Sequence, residues 1–208
     1  MFHVKHDAID EAAGQLGLDL DGVRGRLEAY AVLLRDRAAP MGLISAADAG
    51  DALERHILDC LRASPHLAGG TAAVDIGSGV GLPGIPVAIA RPDVSVTLLD
   101  ARARRVAFLE LVAEELDLAN VAPVHVRVEA FAGRADACLA RAFAPLPRSW
   151  TAASRILRPG GRLIFFAGAS VAVEEAASAL HPAPSAVRAV PPPAVLASAG
   201  PLVIMTLQ

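Results

Sequence analysis

The chain contains few of the residues that mark secreted, metal-binding or membrane proteins. Among its 208 residues, Cys60 and Cys138 are the only cysteines, and neither lies in a metal-type spacing. Two isolated thiols indicate a reducing compartment, so we expect a cytoplasmic protein without disulfide bonds. The sequence has no run of about 18 apolar residues free of glycine, proline or charge, and its N-terminus lacks the apolar core of a signal peptide. We therefore expect no membrane span and no metal site.

Lysine is nearly absent as well, because Lys5 is the only one and almost every positive charge is an arginine. The formal net charge is −3 at pH 7. Coating a nucleic acid non-specifically requires many phosphate contacts, so this slightly acidic balance argues against that class of protein. It leaves room for a local basic patch. The length fits one α/β domain with a small appendage.

The most distinctive stretch is residues 72–86, where a short apolar run ends at Asp75 and opens into alternating glycines. That order predicts a buried strand, a tight turn and the first turn of a helix. Glycines are needed where the backbone takes a positive φ or where a ligand approaches closely. The free N–H groups at such a turn bind anions and hydroxyls well.

Three interpretations of these glycines remain open at this point. The spacing Gly79-x-Gly81-x-x-Gly84 satisfies the fingerprint of dinucleotide-binding domains. The spacing Gly77-x-Gly79-x-Gly81 preceded by Asp75 is the pattern of S-adenosylmethionine-dependent methyltransferases. A glycine-rich turn without any ligand is the third interpretation, because such turns are common after the strands of α/β proteins.

Helical periodicity dominates the residues before this stretch. Apolar side chains at helical spacing predict helices over Asp7–Gly17 and Asp19–Ala38. A third helix is predicted to begin near Ser45, which has an acid three residues later, as in a capping box. Proline and paired glycines then mark a boundary, so we divide the chain into an N-terminal helical region (1–66) and a second domain (67–208).

The third predicted helix carries Arg55, His56 and Asp59, a set that invites a catalytic interpretation. The favoured interpretation is a solvated helix face with an Arg–Asp pair four residues apart, which contributes only a few tenths of a kcal/mol. His56 has no cysteine or second histidine at ligand spacing, so a metal role is not predicted.

Seven strands are predicted in the second domain, and helices separate most of them. They are expected at Ala72–Ile76, Val94–Leu99, Val121–Val128, Asp136–Ala140, a segment ending at Phe166, Ser185–Val190 and Pro201–Leu207. A helix is also expected over Glu174–Leu180. This alternation predicts a mostly parallel, doubly wound sheet of the α/β class. The last two strands lack an intervening helix and predict a C-terminal antiparallel hairpin, which is typical of methyltransferases.

Candidate ligand contacts follow the ends of the first four strands. Asp100 ends the second strand about 20 residues after the glycines, where an acid can accept hydrogen bonds from both ribose hydroxyls of an adenosine-containing ligand. It can also cap the next helix, and the two roles are compatible. Residues 77–82, Val128–Glu129 and Arg141 follow strands one, three and four. These segments are expected to converge at one sheet edge, although Glu129 also fits a surface acid and Arg141 a structural ion pair.

Three arginines, Arg102, Arg104 and Arg105, open the helix that follows Asp100. Cations are unfavourable at a helix N-terminus because they oppose the helix dipole. The conflict suggests that an outside group such as phosphate attracts them, and an ordinary solvated run of charge remains the alternative.

Taken together, these motifs resemble the small-subunit ribosomal RNA methyltransferase G family, RsmG, also called GidB. The resemblance covers nearly the whole chain. It rests on Asp75–Pro86, Leu98–Asp100 with Arg105–Leu109, Arg127–Glu129, Arg141–Leu146, Leu43–Ser45 and Arg55–Asp59. It implies a Rossmann-like class I S-adenosylmethionine-dependent methyltransferase fold, with a mostly parallel seven-stranded sheet and an N-terminal helical extension.

The resemblance also implies an activity, which is methylation of a guanine N7 in 16S rRNA during ribosome biogenesis. The cofactor would be S-adenosyl-L-methionine, the partner 16S rRNA or the small ribosomal subunit, and the enzyme a monomer without a metal. The predicted cofactor contacts are Asp75, Gly77, Gly79, Gly81, Leu82, Asp100, Val128, Glu129 and Arg141. The predicted RNA contacts are Arg55, Arg102, Arg104 and Arg105.

No catalytic residue is assigned, because guanine N7 carries a lone pair and no proton and so requires no general base. Other functions remain open: methylation of another RNA or of a small molecule, an NAD(P)-dependent oxidoreductase, or a nucleotide-binding module that is not an enzyme. The oxidoreductase alternative lacks a Tyr-x-x-x-Lys or His–Asp pair. Two positions depart from the family pattern, which usually has asparagine where Gly42 stands and lysine where Ala167 stands. Loss of that lysine removes a phosphate contact.

Overall fold

The computed structural model describes residues 6–50, 52–168 and 180–208. Its helices are α1 (His6–Leu16), α2 (Arg24–Leu33), α3 (Ala46–Gly50), α4 (Leu58–Leu61), α5 (Gly84–Ala90), α6 (Ala103–Glu115) and α7 (Leu146–Ile156). Its strands are β1 (Ala72–Ile76), β2 (Ser95–Asp100), β3 (Val121–His125), β4 (Ala135–Arg141), β5 (Leu157–Phe166), β6 (Ala186–Val190) and β7 (Leu202–Thr206). Except for Leu180, the predicted helix Glu174–Leu180 lies outside the described residues.

The seven strands form one sheet in the order β3-β2-β1-β4-β5-β7-β6. The first five strands are parallel, and β7 runs antiparallel to both of its neighbours, β5 and β6. The predicted mostly parallel sheet with a terminal antiparallel hairpin is therefore confirmed. Because β1 is central and its neighbours β2 and β4 are parallel to it, the carboxyl ends of all three strands lie at the same sheet edge.

Apolar clusters cover both faces of the sheet, which explains why its central strands have almost continuous apolar sequences. On one face the N-terminal helices pack with α5 and α6 in a single cluster that includes Tyr30, Ile85 and Phe108. On the other face α7 buries Trp150 against β-strand residues such as Val74 and Leu163. The helical region before β1 thus shares its core with the sheet, and the division at residues 66 and 67 stays a prediction.

The N-terminal helices differ from the regular helices that periodicity predicts. α2 continues as a π-helical segment, Leu34–Ala38, and a second π-helical segment, Ala52–Ile57, precedes α4. The predicted third helix is therefore a succession of short segments, although Ser45 caps its start as predicted, with its hydroxyl 3.0 Å from the Asp48 N–H. A π-turn adds a residue per turn, so a search for a 3.6-residue period does not detect it.

The predicted end of the third strand was also wrong. β3 stops at His125, and Val128–Ala130 form a short 3₁₀ turn instead of continuing the strand. The chain turns there toward the edge where the parallel strands end, and it forms part of the wall of a cavity described below. None of the helices in the three described ranges is long and apolar enough to cross a membrane.

Candidate functional site

Among the residues that the structure describes, two neighbouring cavities at the carboxyl edge of the parallel strands contain most of the predicted site residues. The first cavity, of about 310 Å³, lies beyond the ends of β1, β2 and β3 and includes Gly77, Asp100 and residues 126–129 in its walls. The second cavity, of about 820 Å³, lies between the N-terminal helices, the end of β4 and the segment before β7. Ala142, which follows β4, lines both cavities. The predicted convergence at one sheet edge is therefore confirmed as geometry.

The loop after β1 requires glycine for two reasons, which are positive φ values and neighbouring atoms that leave no space for a Cβ. Gly77, Gly79 and Gly81 have φ values of +69°, +61° and +102°, which side chains rarely tolerate. A Cβ on Gly81 would lie 2.5 Å from Ile85 Cγ1. Of the three glycines, only Gly77 lines the first cavity. Gly79 and Gly81 shape the loop through their backbone conformation, and their predicted contact with a cofactor stays a prediction.

The Asp75 carboxylate lies beneath this loop and not in either cavity. The residue is 1% exposed, and its Oδ2 accepts a hydrogen bond of 3.0 Å from the Gly84 N–H at the start of α5. Its Oδ1 has no hydrogen-bond partner among the described residues. Burial raises the pKa of Asp75 to about 7, although the Gly84 N–H opposes the shift. The Asp75 carboxylate is thus turned inward and holds the loop to the helix, and a cofactor contact of this residue stays a prediction.

The Asp100 carboxylate, in contrast, lines the first cavity at the end of β2. Its Oδ1 accepts the Arg102 N–H at 2.9 Å, and its Oδ2 accepts the Gly79 N–H at 3.0 Å. Arg105 Nη1 lies 3.4 Å from the same Oδ2. A carboxylate has about four acceptor positions, so Oδ1 retains one for a further donor. The carboxylate also offsets the arginine charge at the start of α6, which resolves the conflict with the helix dipole.

Sequence reasoning did not identify Phe143 as a side chain of the first cavity. Phe143 lines it, and the ring packs so closely over Gly77 that a Cβ there would lie 2.5 Å from Phe143 Cδ2. The ring therefore covers Gly77 on the side where a Cβ would lie. Ala142, just before it, has a φ of +52°, a strained value for a residue other than glycine. Phe143 lies inside the motif Arg141–Leu146, and its distance from the glycines in sequence concealed the contact.

The second cavity contains a chain of ion pairs. Asp59 is 9% exposed, with Oδ1 at 2.7 Å from Arg62 Nη1 and Oδ2 at 3.5 Å from Arg141 Nε. Arg62 is also buried and donates to the Gly200 carbonyl at 3.0 Å. The solvated-face interpretation was therefore wrong for Asp59, because this carboxylate connects α4 to β4. A buried charge is tolerated only when it is paired, as Asp59 is here.

His56 belongs to the same cavity and is largely buried, with its side chain 15% exposed. Its Nδ1 lies 2.8 Å from Arg141 Nη2, and its Nε2 lies 3.3 Å from Asp48 Oδ1. Leu82 and Phe166 supply apolar wall on the β-sheet side. The solvated-face interpretation is wrong for His56 too, and sequence reasoning did not identify Asp48 as its partner.

The other predicted contacts divide between the two cavities. Val128, Glu129, Arg102 and Arg105 line the first cavity, whereas Leu82, Arg141 and Arg55 line the second. Arg104 lines neither of them and donates to the Met41 carbonyl at 2.8 Å, which joins α6 to the turn before α3. Proximity to RNA is untested for all four arginines and stays a prediction.

The two positions that depart from the family pattern have different surroundings. Gly42 has a φ of +68°, in the left-handed region that glycine adopts freely and asparagine tolerates. Gly42 therefore suits the local backbone. Ala167 lines the second cavity, so the missing lysine removes a positive charge from that cavity wall.

The sequence profile of the family described as rRNA small subunit methyltransferase G, GidB, matches residues 24–190. The chain belongs to this family. Curated relatives named ribosomal RNA small subunit methyltransferase G include the protein of Edwardsiella ictaluri, 45% identical over 124 residues, 59% of this chain and 60% of the relative. The Cronobacter sakazakii protein is 47% identical over 108 residues, 52% of each chain. The chain thus spans between about half and three-fifths of the length of these methyltransferase G relatives.

Solved structures support the fold of this methyltransferase G family member. The S-adenosylmethionine-dependent methyltransferase SibL in its apo form superposes with a TM-score of 0.62 at 18% identity, over 78% of this chain and 57% of that one. With the strand order described above, this likeness identifies a Rossmann-like class I methyltransferase fold.

The inward position of Asp75 predicts how stability depends on pH. A carboxyl with its folded pKa raised to about 7 stabilises the fold below its ordinary pKa, and this contribution is lost as the pH rises toward 7. Asp75→Asn retains an acceptor for Gly84 and does not ionise. We expect the stability of the wild type relative to Asp75→Asn to fall between about pH 4.5 and pH 7.5, measured by urea unfolding.

Asp136→Asn is the matched control. The hydrogen bond from the Ala72 N–H, and after it the one from Arg158, lower the pKa of Asp136 below its ordinary value, so Asp136 stays ionised across this pH range. Its stability difference from the wild type should stay constant where that of Asp75→Asn changes. A constant difference for both variants would show that Asp75 is ionised throughout.

Proposed function

We propose that the chain is an S-adenosyl-L-methionine-dependent methyltransferase that acts on a guanine N7 of 16S rRNA. The observation that carries this proposal is the meeting of the two cavities at Ala142, in a chain of the methyltransferase G family. One cavity has the carboxylate that a ribose requires, and the other is larger and lined by apolar and cationic groups. This arrangement suits a cofactor and an acceptor base that meet between them.

The residues of the first cavity fit the adenosine part of this cofactor. Asp100 retains an acceptor position on Oδ1, and a ribose hydroxyl is a suitable donor. Val126 and Val128 provide apolar wall on which an adenine ring can pack, with Glu129 beside them. The bound cofactor would supply an electrophilic methyl group on a sulfonium. The chain's own residues hold its ribose and keep its adenine away from water.

The residues of the second cavity fit an acceptor base. Its volume of about 820 Å³ is sufficient for a nucleobase, and the apolar side chains of Leu82, Phe166 and Leu196 can contact a base that has left its stack. Arg141 supplies positive charge at the boundary with the first cavity. Guanine N7 needs no deprotonation, so we assign rate acceleration to alignment and to the electrostatic environment of the site.

The partner we propose is 16S rRNA, as the naked strand or in the small ribosomal subunit, and the active species is a cytoplasmic monomer. Arg102 lines the first cavity, Arg55 lines the second, and both are exposed. Arg104 is exposed as well and lies on the first turn of α6. Arginines around a base-binding cavity are suited to hold the phosphates that flank the target nucleotide. Arg105 is half-buried and paired with Asp100, so its contribution to RNA binding should be the smallest.

The direct test is transfer of radiolabelled methyl from S-adenosylmethionine to 30S subunits, to naked 16S rRNA and to no acceptor. We expect label in RNA, at one guanine whose N7 methylation is detected by borohydride reduction and aniline cleavage. Label without cleavage would place the methyl on another atom. Cofactor binding without transfer to either RNA would reject the RNA substrate and leave a small-molecule methyltransferase.

Loss of the Asp100 charge should weaken cofactor binding. A hydrogen bond to a charged acceptor contributes about 1.5–3 kcal/mol, so Asp100→Asn should raise the dissociation constant for S-adenosylmethionine by about 10- to 150-fold in calorimetric titration. Glu110→Gln, on the exposed side of α6, is the control and should bind as the wild type does. Equal affinities for the two variants would remove the ribose contact from Asp100.

Arginine substitutions should change the salt dependence of RNA binding. Each phosphate contact to single-stranded RNA contributes about 0.7 to the slope of log affinity against log salt, so Arg102→Gln with Arg104→Gln should reduce it by about 1.4. Arg158→Gln is the control, because Arg158 pairs with Asp136 near the opposite sheet edge. An unchanged slope in the double variant would exclude both arginines from the RNA interface.

A further inference from the structure

The Arg141 guanidinium stands between two partners in the second cavity. Its Nε lies 3.5 Å from Asp59 Oδ2, and its Nη2 lies 2.8 Å from His56 Nδ1. Nη1 has no hydrogen-bond partner among the residues that the structure describes. The guanidinium is thus fixed along one side, and its remaining N–H groups are available to a ligand in the cavity that it lines.

The contact with Arg141 determines the protonation state of His56. A guanidinium has five N–H donors and no acceptor, so His56 Nδ1 must accept the hydrogen bond and cannot carry a proton. The proton of the neutral ring is then on Nε2, which can donate to Asp48 Oδ1 at 3.3 Å. Asp48 is itself oriented by the Ser45 hydroxyl at 2.6 Å. The order Ser45, Asp48, His56, Arg141 is a continuous chain of donors and acceptors.

We propose that neutral His56 is a positioning residue that fixes the Arg141 guanidinium at the boundary of the two cavities, and that protonation of His56 releases it. The use of this device in methyl transfer rests on the function proposed above. The hydrogen-bond chain itself is a property of the protein without ligands. His56 does not touch the reacting atoms; it acts through Arg141.

The charges around His56 favour its neutral form. Arg141 faces it from β4 and Arg55 adjoins it on the same segment, whereas Asp48 faces it from α3. Burial lowers the pKa of His56 below its ordinary value, Arg141 lowers it further, and Asp48 opposes the shift in part. The neutral ring therefore predominates above about pH 6.5, and the contact with Arg141 is lost as the pH falls through the lowered pKa.

Two substitutions separate positioning from mere packing. Asparagine places an acceptor oxygen where His56 has Nδ1 and does not ionise, so His56→Asn should retain methyl transfer at about pH 8 and lose the acid limb of the pH profile. His56→Ala removes the acceptor and should lower kcat/KM by at least about tenfold at every pH. The proposal would be overturned if both variants lost the same fraction of kcat/KM and if His56→Asn still lost activity at acid pH as the wild type does.

His66→Asn is the matched control. His66 is also half-buried, and its Nδ1 lies 3.4 Å from Arg188 Nη2, so it too is a histidine beside an arginine. It lies outside both cavities. His66→Asn should therefore leave the pH profile of methyl transfer unchanged. An acid limb that disappears in this variant would assign the profile to His66 and overturn the proposal.

A second measurement needs neither cofactor nor RNA. Nitrogen-15 NMR of the imidazoles in the ligand-free protein should show His56 as the Nε2–H tautomer, with a titration midpoint below about pH 6.5. An Nδ1–H tautomer, or a midpoint above that value, would overturn the positioning role. If the tautomer is as expected and the wild type transfers no methyl group to RNA, the proposed function fails and the His56–Arg141 device stands.

Discussion

The Asp59 carboxylate is the interaction on which the organisation of the site depends. It lies between Arg62, which is held by the Gly200 carbonyl before β7, and Arg141 at the end of β4. One buried anion therefore joins three parts of the chain that are far apart in sequence. Removing it would leave Arg62 buried without a counter-charge, and an uncompensated buried charge typically costs about 3–5 kcal/mol. Asp59 and Arg141 both line the second cavity, so this pairing joins two parts of its wall.

The glycine loop is held by hydrogen bonds to its backbone and not by ion pairs. Two carboxylates hold the loop in this way. Asp75 accepts the Gly84 N–H, and Asp100 accepts the Gly79 N–H. The Tyr30 hydroxyl, from the N-terminal helices, donates to the Val80 carbonyl at 2.7 Å and so adds a third hydrogen bond to the loop backbone. A loop so constrained needs little reordering when a ligand arrives, which reduces the entropic cost of binding. Phe143 adds a further contact, because its ring covers the Cβ side of Gly77.

The elements with strong local signals were predictable from the sequence. The parallel strands, the terminal hairpin and the Asp100 position follow from apolar runs and from acids at strand ends. The direction of the Asp75 carboxylate was not predictable, because its partner is a backbone N–H nine residues away. The Asp59 network was missed for a related reason. Helical spacing suggested Arg55 only, but Asp59 pairs with Arg62 and also with Arg141, which lies 82 positions further along the chain.

Charge and burial act together at this site. A histidine and an aspartate on an amphipathic segment look solvated until the π-helical turn and β4 bring an arginine between them. Once buried, each group fixes the state of the next one, since a cation cannot accept a hydrogen bond and a shielded carboxylate keeps its counter-ion. The orientation of Arg141 is therefore a collective property of Asp48, His56 and Asp59.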